Sequence, residues 1–184
     1  MRKFLFFAFF LLFVSCAKKE EGLLIANFEL LEKINALGGG FGAWNKDPSD
    51  STQFCEESIV KGRDGYVLKL VYDVDSPNPA YNGFWMKLNG ADFSKYKKIS
   101  LLIKGDETAG FTDTIKVELK NKKGEVGRSY IRGITSNWKE YEIPFESFRG
   151  IKDFSEMDEF VIVFADTFCK PKVGVIYVDD IKVK

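Results

Sequence analysis

The chain has no histidine among its 184 residues, only three cysteines and five prolines, and no excess of either charge, with 27 basic against 27 acidic side chains. Each shortage excludes something. Without histidine the commonest general base and the usual zinc partner are missing, which rules out a serine triad on Ser129 or Ser136 and argues against a zinc centre. Without a basic excess or a long basic run, nothing displaces counterions from a phosphate backbone, so no nucleic-acid partner is expected. The glycines at 38–40 and 42 lack a following Lys-Ser/Thr and do not form a phosphate loop. The one long apolar run, Phe4 to Val14, has eleven residues where a membrane-spanning helix needs about 20.

That run has another meaning. It follows Met1-Arg2-Lys3 and ends at Ser15-Cys16, so a basic segment, an apolar segment and a small residue precede a cysteine, as in a secretory signal. The junction resembles a lipobox, with Phe13 where that motif usually has Leu. The resemblance implies cleavage after residue 15, diacylation of Cys16 and anchorage in a bacterial cell envelope. Ala17 lacks the Asp that often marks inner-membrane retention, so an outer-membrane or cell-surface location is expected. Residues 16–22 then form a lipidated polar tether. Loss of Arg2 and Lys3 leaves 25 basic and 27 acidic side chains, a net charge near −2. With Cys16 lipidated, Cys55 and Cys169 are the two thiols left in an oxidising compartment, and a disulfide between them is expected.

Residues 23–184 are enough for one domain. No stretch keeps a helical apolar period for more than about two turns, whereas short runs rich in Val, Ile, Phe and Tyr recur between Gly, Asn, Asp and Pro. The pattern predicts ten strands: Leu23–Glu29, Phe54–Val60, Tyr66–Val74, Tyr81–Leu88, Lys98–Lys104, Thr114–Lys120, Val126–Gly133, Lys139–Ile143, Glu159–Ala165 and Gly174–Lys184. It predicts a helical turn over Leu30–Ala36 and a hairpin at Asn121-Lys122-Lys123-Gly124. The fold class is all-β, a two-sheet jelly-roll β-sandwich.

Period-two alternation assigns faces. Ile115, Val117 and Leu119 turn inward and leave Lys116 and Glu118 outside. Phe84, Met86 and Leu88 do the same for Trp85 and Lys87, and Ile131 for Arg128, Tyr130 and Arg132. If these three strands are neighbours, they present one face carrying Trp85, Lys87, Lys116, Glu118, Arg128, Tyr130 and Arg132. Aromatic rings beside multidentate charged groups suit sugars, whose C–H faces stack and whose hydroxyls need several partners. Trp44 and Trp138 are read as core or corner residues.

Three segments resemble a known group: Ile25-Ala26-Asn27-Phe28-Glu29 followed by Gly39-Gly40-Phe41-Gly42-Ala43-Trp44, then Asn82-Gly83-Phe84-Trp85-Met86, then Tyr177-Val178-Asp179-Asp180-Ile181. The segment Trp138 to Phe145 joins them. Together they resemble the galactose-binding-like jelly rolls, and within these the family 11 carbohydrate-binding modules and the complex I intermediate-associated proteins. The resemblance implies a structural calcium held by Glu29 and Asp179, completed by carbonyls of residues 45–50. It implies a non-catalytic, membrane-anchored lipoprotein that binds polysaccharide or envelope glycan. The alternative it allows is an envelope assembly or interaction factor, with a protein on the same face. An enzyme using two carboxylates such as Glu118 and Asp166 ranks last.

Overall fold

The computed structural model describes residues 22–184. Eleven strands run β1 (Leu23–Ala26), β2 (Phe41–Asn45), β3 (Phe54–Lys61), β4 (Tyr66–Asp73), β5 (Tyr81–Ala91), β6 (Lys98–Gly105), β7 (Thr114–Asn121), β8 (Val126–Arg132), β9 (Lys139–Pro144), β10 (Met157–Ala165) and β11 (Val173–Val183). A single 3₁₀ turn, Phe145–Ser147, is the one helical element among the described residues. All pairings are antiparallel and build two sheets. One has the order β3-β4-β11-β6-β9, with β1 also on β11; the other has the order β2-β5-β10-β7-β8. The result is the expected jelly-roll sandwich.

Its core forms because alternation holds on every long strand. Phe84, Met86 and Leu88 of β5, Phe160, Ile162 and Phe164 of β10 and Ile115, Val117 and Leu119 of β7 are fully buried from one sheet. Leu68, Leu70 and Tyr72 of β4, Ile99, Leu101 and Ile103 of β6 and Ile176 and Val178 of β11 meet them from the other. The Tyr72 and Phe164 rings stack across the sandwich at 4.2 Å. Tyr72 also accepts a hydrogen bond from the Thr112 amide at 2.7 Å and donates one to the Pro171 carbonyl at 3.0 Å, which satisfies its buried hydroxyl.

All ten expected strands are present, and the inward and outward assignments hold. Four expectations need correction. First, β2 is an eleventh strand, passed over because Gly42 weakens the strand signal. Second, β5, β7 and β8 are not consecutive neighbours, since β10 lies between β5 and β7. Third, Leu30–Ala36 forms bends and a bridge from Ile34 to Gly40, not a helical turn. There Asn35 Oδ1 accepts the Leu37 and Gly39 amides at 2.9 Å each, a local side-chain bond that competes with helix formation. Fourth, Cys55 and Cys169 are free, separately buried thiols, so the expected disulfide is not formed. Cys55 starts β3 opposite Tyr72, with its amide bonded to Asn45 Oδ1. Cys169 sits after β10, its amide bonded to the Ala165 carbonyl. Burial pushes the Cys169 thiol up to about 11 and the Cys55 thiol higher still.

The hairpin at Asn121–Gly124 forms as expected. Gly124 takes φ +82°, and Asn121 Oδ1 accepts the amides of Lys123 and Glu125.

Candidate functional site

The outer face of the five-stranded sheet carries an open cleft of about 440 Å³. Strand register lays its side chains in rows. One row runs Gly42, Trp85, Val161, Glu118, Arg128 from β2 to β8. The next runs Trp44, Gly83, Val163, Lys116, Tyr130. A third places Lys87, Glu159 and Lys120 on β5, β10 and β7.

The first two rows explain how two tryptophans come to form a floor. Gly42 and Trp44 lie two apart on β2, and Gly83 and Trp85 lie two apart on β5, so each pair shares a face. Antiparallel pairing then sets Trp85 opposite Gly42 and Trp44 opposite Gly83. A Cβ added at Gly42 would lie 3.4–3.5 Å from the Trp85 indole, and one at Gly83 would lie 3.2 Å from Trp44 Nε1. Each indole therefore covers the glycine of the neighbouring strand. Tyr81 extends the aromatic strip, edge-on to Trp44 at 5.9 Å, with Lys46 Nζ 5.3 Å from its ring centre. Gly83 is doubly constrained, because the same Cβ would lie 1.9 Å from the Ile162 carbonyl oxygen. Gly83→Ala is thus expected to force β5 and β10 apart and cost at least about 1–3 kcal/mol, measured by urea unfolding.

Charges on the face are paired. Glu159 bridges Lys87 at 3.0 Å and Lys120 at 2.5 Å, and Lys87 also reaches Asp158 at 3.2 Å. Lys116 meets Glu118 at 2.9 Å, and Arg128 reaches the same carboxylate at 3.4 Å. Burial pulls the Glu159 carboxyl up, but the Lys120 and Lys87 ammonium groups outweigh it and hold the group below its ordinary value. Lys87 is raised in turn, chiefly by its hydrogen bond to Glu159. The cleft is therefore an aromatic strip beside a nearly neutral ladder of fixed donors and acceptors.

Of the residues expected on this face, Trp85, Lys87, Lys116 and Glu118 line the cleft together. Arg128, Tyr130 and Arg132 face the same way, on edge strand β8 beyond the cleft lining. There Tyr130 packs edge-on to Phe168 at 5.6 Å, with the Arg132 guanidinium 5.0 Å from its ring centre. Trp44, Tyr81, Lys120, Glu159, Val161 and Val163 also line the cleft and were not assigned to it from sequence. Trp44 is corrected from a core residue to part of the floor. The signal that could have found it is the repeated Gly-x-Trp spacing at 42–44 and 83–85. Asp166 is not in the cleft; it sits after β10 and accepts the Ala80 amide at 3.0 Å, so it forms no acid/base pair with Glu118.

Glu29 and Asp179 lie toward the same end of the other sheet, near enough for the Glu29 charge to act on Asp179. Strand β1 stops at Ala26, Phe28 turns back at φ +58°, and Glu29 Oε1 accepts the Tyr66 amide at 3.1 Å where β4 begins. Asp179 lies at a register shift in β11, buried, with Oδ1 accepting the Asp180 amide at 2.8 Å. Burial pushes its carboxyl up to about 6, the Asp180 and Glu29 charges add to the rise, and Arg63 opposes it without forming an ion pair within 4 Å. Asp179 is a buried carboxylate with no close cation, but Glu29 is exposed, and among the described residues no group of three or more acidic or cysteine side chains could hold a metal ion such as the expected calcium. The loop expected to complete it does not fit. Residues 45–50 adjoin the Phe54 end of β3, whereas Glu29 packs against Gly65 beyond its Lys61 end, a full strand away.

The carbohydrate binding domain (family 11) matches residues 26–179, most of the described chain and both of its sheets. The chain belongs to this family. Family 11 domains are non-catalytic carbohydrate-binding modules, and this chain is a binding protein, not an enzyme. Its fold is that of the family 11 module of a cellulosomal cellulase of Clostridium thermocellum, at 23% identity and TM-score 0.66 over 89% of this chain and 94% of that one. The structure of a family 11 module from the same organism in complex with a β-1,3-1,4-mixed-linked tetrasaccharide is alike at 23% identity and TM-score 0.66, over 88% and 94%. A xylan-binding domain from a Paenibacillus barcinonensis protein matches at 13% identity and TM-score 0.51, over 89% and 94%. No curated protein matches the chain in sequence.

Proposed function

We propose that this chain is a lipid-anchored envelope protein that binds a neutral polysaccharide along the outer face of the five-stranded sheet. The observation that carries the reading is the floor of Trp44 and Trp85, two indoles seated on the glycines of each other's strand, with an ion-paired ladder beside them. Flat apolar rings match the C–H faces of successive sugar residues, and Lys87, Lys116, Glu118 and Glu159 supply donors and acceptors to hydroxyls. Because each of those lysines is already compensated by a carboxylate, an uncharged chain suits the cleft better than an acidic one. One similar domain is in complex with a β-1,3-1,4-mixed-linked tetrasaccharide and another is a xylan-binding domain, so mixed-linkage and xylan polymers are the first to try. Affinity electrophoresis of the full-length protein in detergent, in gels containing mixed-linkage β-glucan, xylan or dextran, tests the reading. Retardation by a β-linked polymer is expected. If no polysaccharide retards it, the face is left to a protein partner.

The anchor rests on Cys16, which lies outside the described residues. Wild type expressed with labelled palmitate is expected to take up label and Cys16→Ala to take up none. Equal labelling of the two would remove the anchor.

Calcium at Glu29 and Asp179 would stabilise the fold and take no part in sugar chemistry. A ligand bound only by the folded state adds RT ln(1 + [L]/Kd), about 2.7 kcal/mol at a hundredfold excess over Kd. The melting temperature is expected to fall with chelator and recover with calcium, and Asp179→Ala to abolish the response. A full response in that variant would move the ion elsewhere.

A further inference from the structure

The sandwich has a second concavity, on the opposite outer face. It is a groove of about 510 Å³ lined by Lys61, Arg63, Lys69 and Lys104 with Trp138 and Tyr177. Register explains the arrangement: Lys69 on β4 and Lys104 on β6 both lie directly across from Tyr177 on β11, so two ammonium groups flank one ring. Lys104 Nζ is 5.9 Å from the centre of that ring, and the Tyr177 hydroxyl donates to Asp106 Oδ2 at 2.8 Å, which fixes it. Trp138, just before β9, is half-buried in the same groove.

The charge of this groove differs in kind from that of the first cleft. There, each of Lys87, Lys116 and Lys120 sits within 3.2 Å of a carboxylate. Here, among the described residues, Lys61, Lys69 and Lys104 form no ion pair, and Arg63 has only its exposed neighbour Asp64 at 3.0 Å. The acidic groups near the groove are Asp64, Asp106 and, at its Arg63 end, Asp179, whose charge Arg63 opposes without an ion pair. With Arg63 set against Asp64 and Asp179, the three lysines face only Asp106 and leave a positive patch around the two aromatic rings. Like charges held this close on one sheet face repel one another, and an anion laid between them relieves the repulsion.

We propose that this groove is a second binding site, for an acidic polysaccharide: sugar rings stack on Trp138 and Tyr177 while their carboxylate or sulfate groups meet Lys61, Arg63, Lys69 and Lys104. The rings lie recessed in a groove and do not protrude, as contact with a flat surface would require. The rings also ask for more than charge, since a polyanion without apolar ring faces would leave them unused. A chain binding a neutral polymer on one face and an acidic one on the other would bridge two components of a polysaccharide matrix. The site stands on its own residues and does not depend on the first cleft.

The test is affinity electrophoresis of the full-length protein in detergent, at fixed ionic strength, in gels containing polygalacturonate, dextran sulfate, neutral dextran or polyglutamate. Retardation by polygalacturonate or dextran sulfate is expected, and whichever is stronger identifies carboxylate or sulfate as the natural group. Neutral dextran should give none, and polyglutamate, which has the charge without the rings, clearly less. The Lys69→Glu/Lys104→Glu double variant should weaken the acidic interaction about tenfold or more, since a charge-assisted hydrogen bond is commonly worth about that much. Trp138→Ala should weaken it too, and Trp85→Ala should not, which separates this site from the first. Thermal melts confirm that the lysine variants fold, and these half-exposed positions lie outside the core cluster. The proposal is overturned if neither acidic polysaccharide retards the protein, if the double lysine variant binds as wild type does, or if polyglutamate matches the polysaccharides.

Discussion

Trp85→Ala is expected to weaken polysaccharide binding by about 1–3 kcal/mol, the range seen when aromatic stacking platforms are truncated, while lowering the melting temperature little. The ring is half-exposed and rests on Gly42, not in the sandwich core, so its removal uncovers one glycine and leaves the packed interior intact. Affinity in an electrophoresis series and a thermal melt on the same samples measure both halves of the claim. Tyr130→Ala is the companion variant. Tyr130 shares the face but stands on β8, two strands beyond Val161 and outside the cleft lining, so its truncation should cost less than that of Trp85. Equal losses would show that the polymer runs across all five strands.

Phe164→Ala is expected to have the largest effect on stability, about 3–5 kcal/mol, because it empties a fully buried ring site near the end of the sheet's middle strand. The lost ring stacks on Tyr72 at 4.2 Å, and Tyr72 in turn is tied to the Thr112 amide and the Pro171 carbonyl, so the cavity sits where the two sheets and two loops meet. Set against a total of about 5–15 kcal/mol for a domain, the loss is severe. Urea unfolding followed by far-ultraviolet circular dichroism should show the midpoint fall with little change in slope. A midpoint within the error of wild type would mean that the stack is not the joint between the sheets.

Much of this was legible in the chain. Period-two alternation placed Phe84, Met86, Ile115 and Val117 inside and Trp85, Lys87, Lys116 and Glu118 outside, because a strand with one buried face leaves no freedom in that choice. Strand order was not legible. That β10 comes between β5 and β7 depends on contacts far apart in sequence, and its run Phe160 to Phe164 is apolar on both faces, so it gives no hint of which side is which. Strand β2 was hidden for a local reason, since Gly42 lowers strand propensity, and with it went Trp44. The cleft was thus half visible: its β5 and β7 residues followed from alternation, whereas Glu159, Lys120 and Trp44 needed the neighbours that topology supplies. The cysteines failed for a related reason. Counting thiols says how many can pair, but Cys55 on β3 and Cys169 beyond β10 are both buried as free thiols in the one core cluster. At Asp179 the reverse holds, as family resemblance located a buried carboxylate that alternation alone would have left unremarked.

The central claim, that polysaccharide lies on Trp44 and Trp85, has a direct optical test. The chain has three tryptophans, and the third, Trp138, lies in the groove on the opposite face. In a Trp138→Phe variant the fluorescence comes from the cleft alone, so titration with oligosaccharides of the mixed-linkage β-glucan should shift and saturate its emission. The same titration of a Trp44→Phe/Trp85→Phe variant, which keeps only Trp138, should leave emission unchanged. Saturable change in the second variant with none in the first would contradict the account.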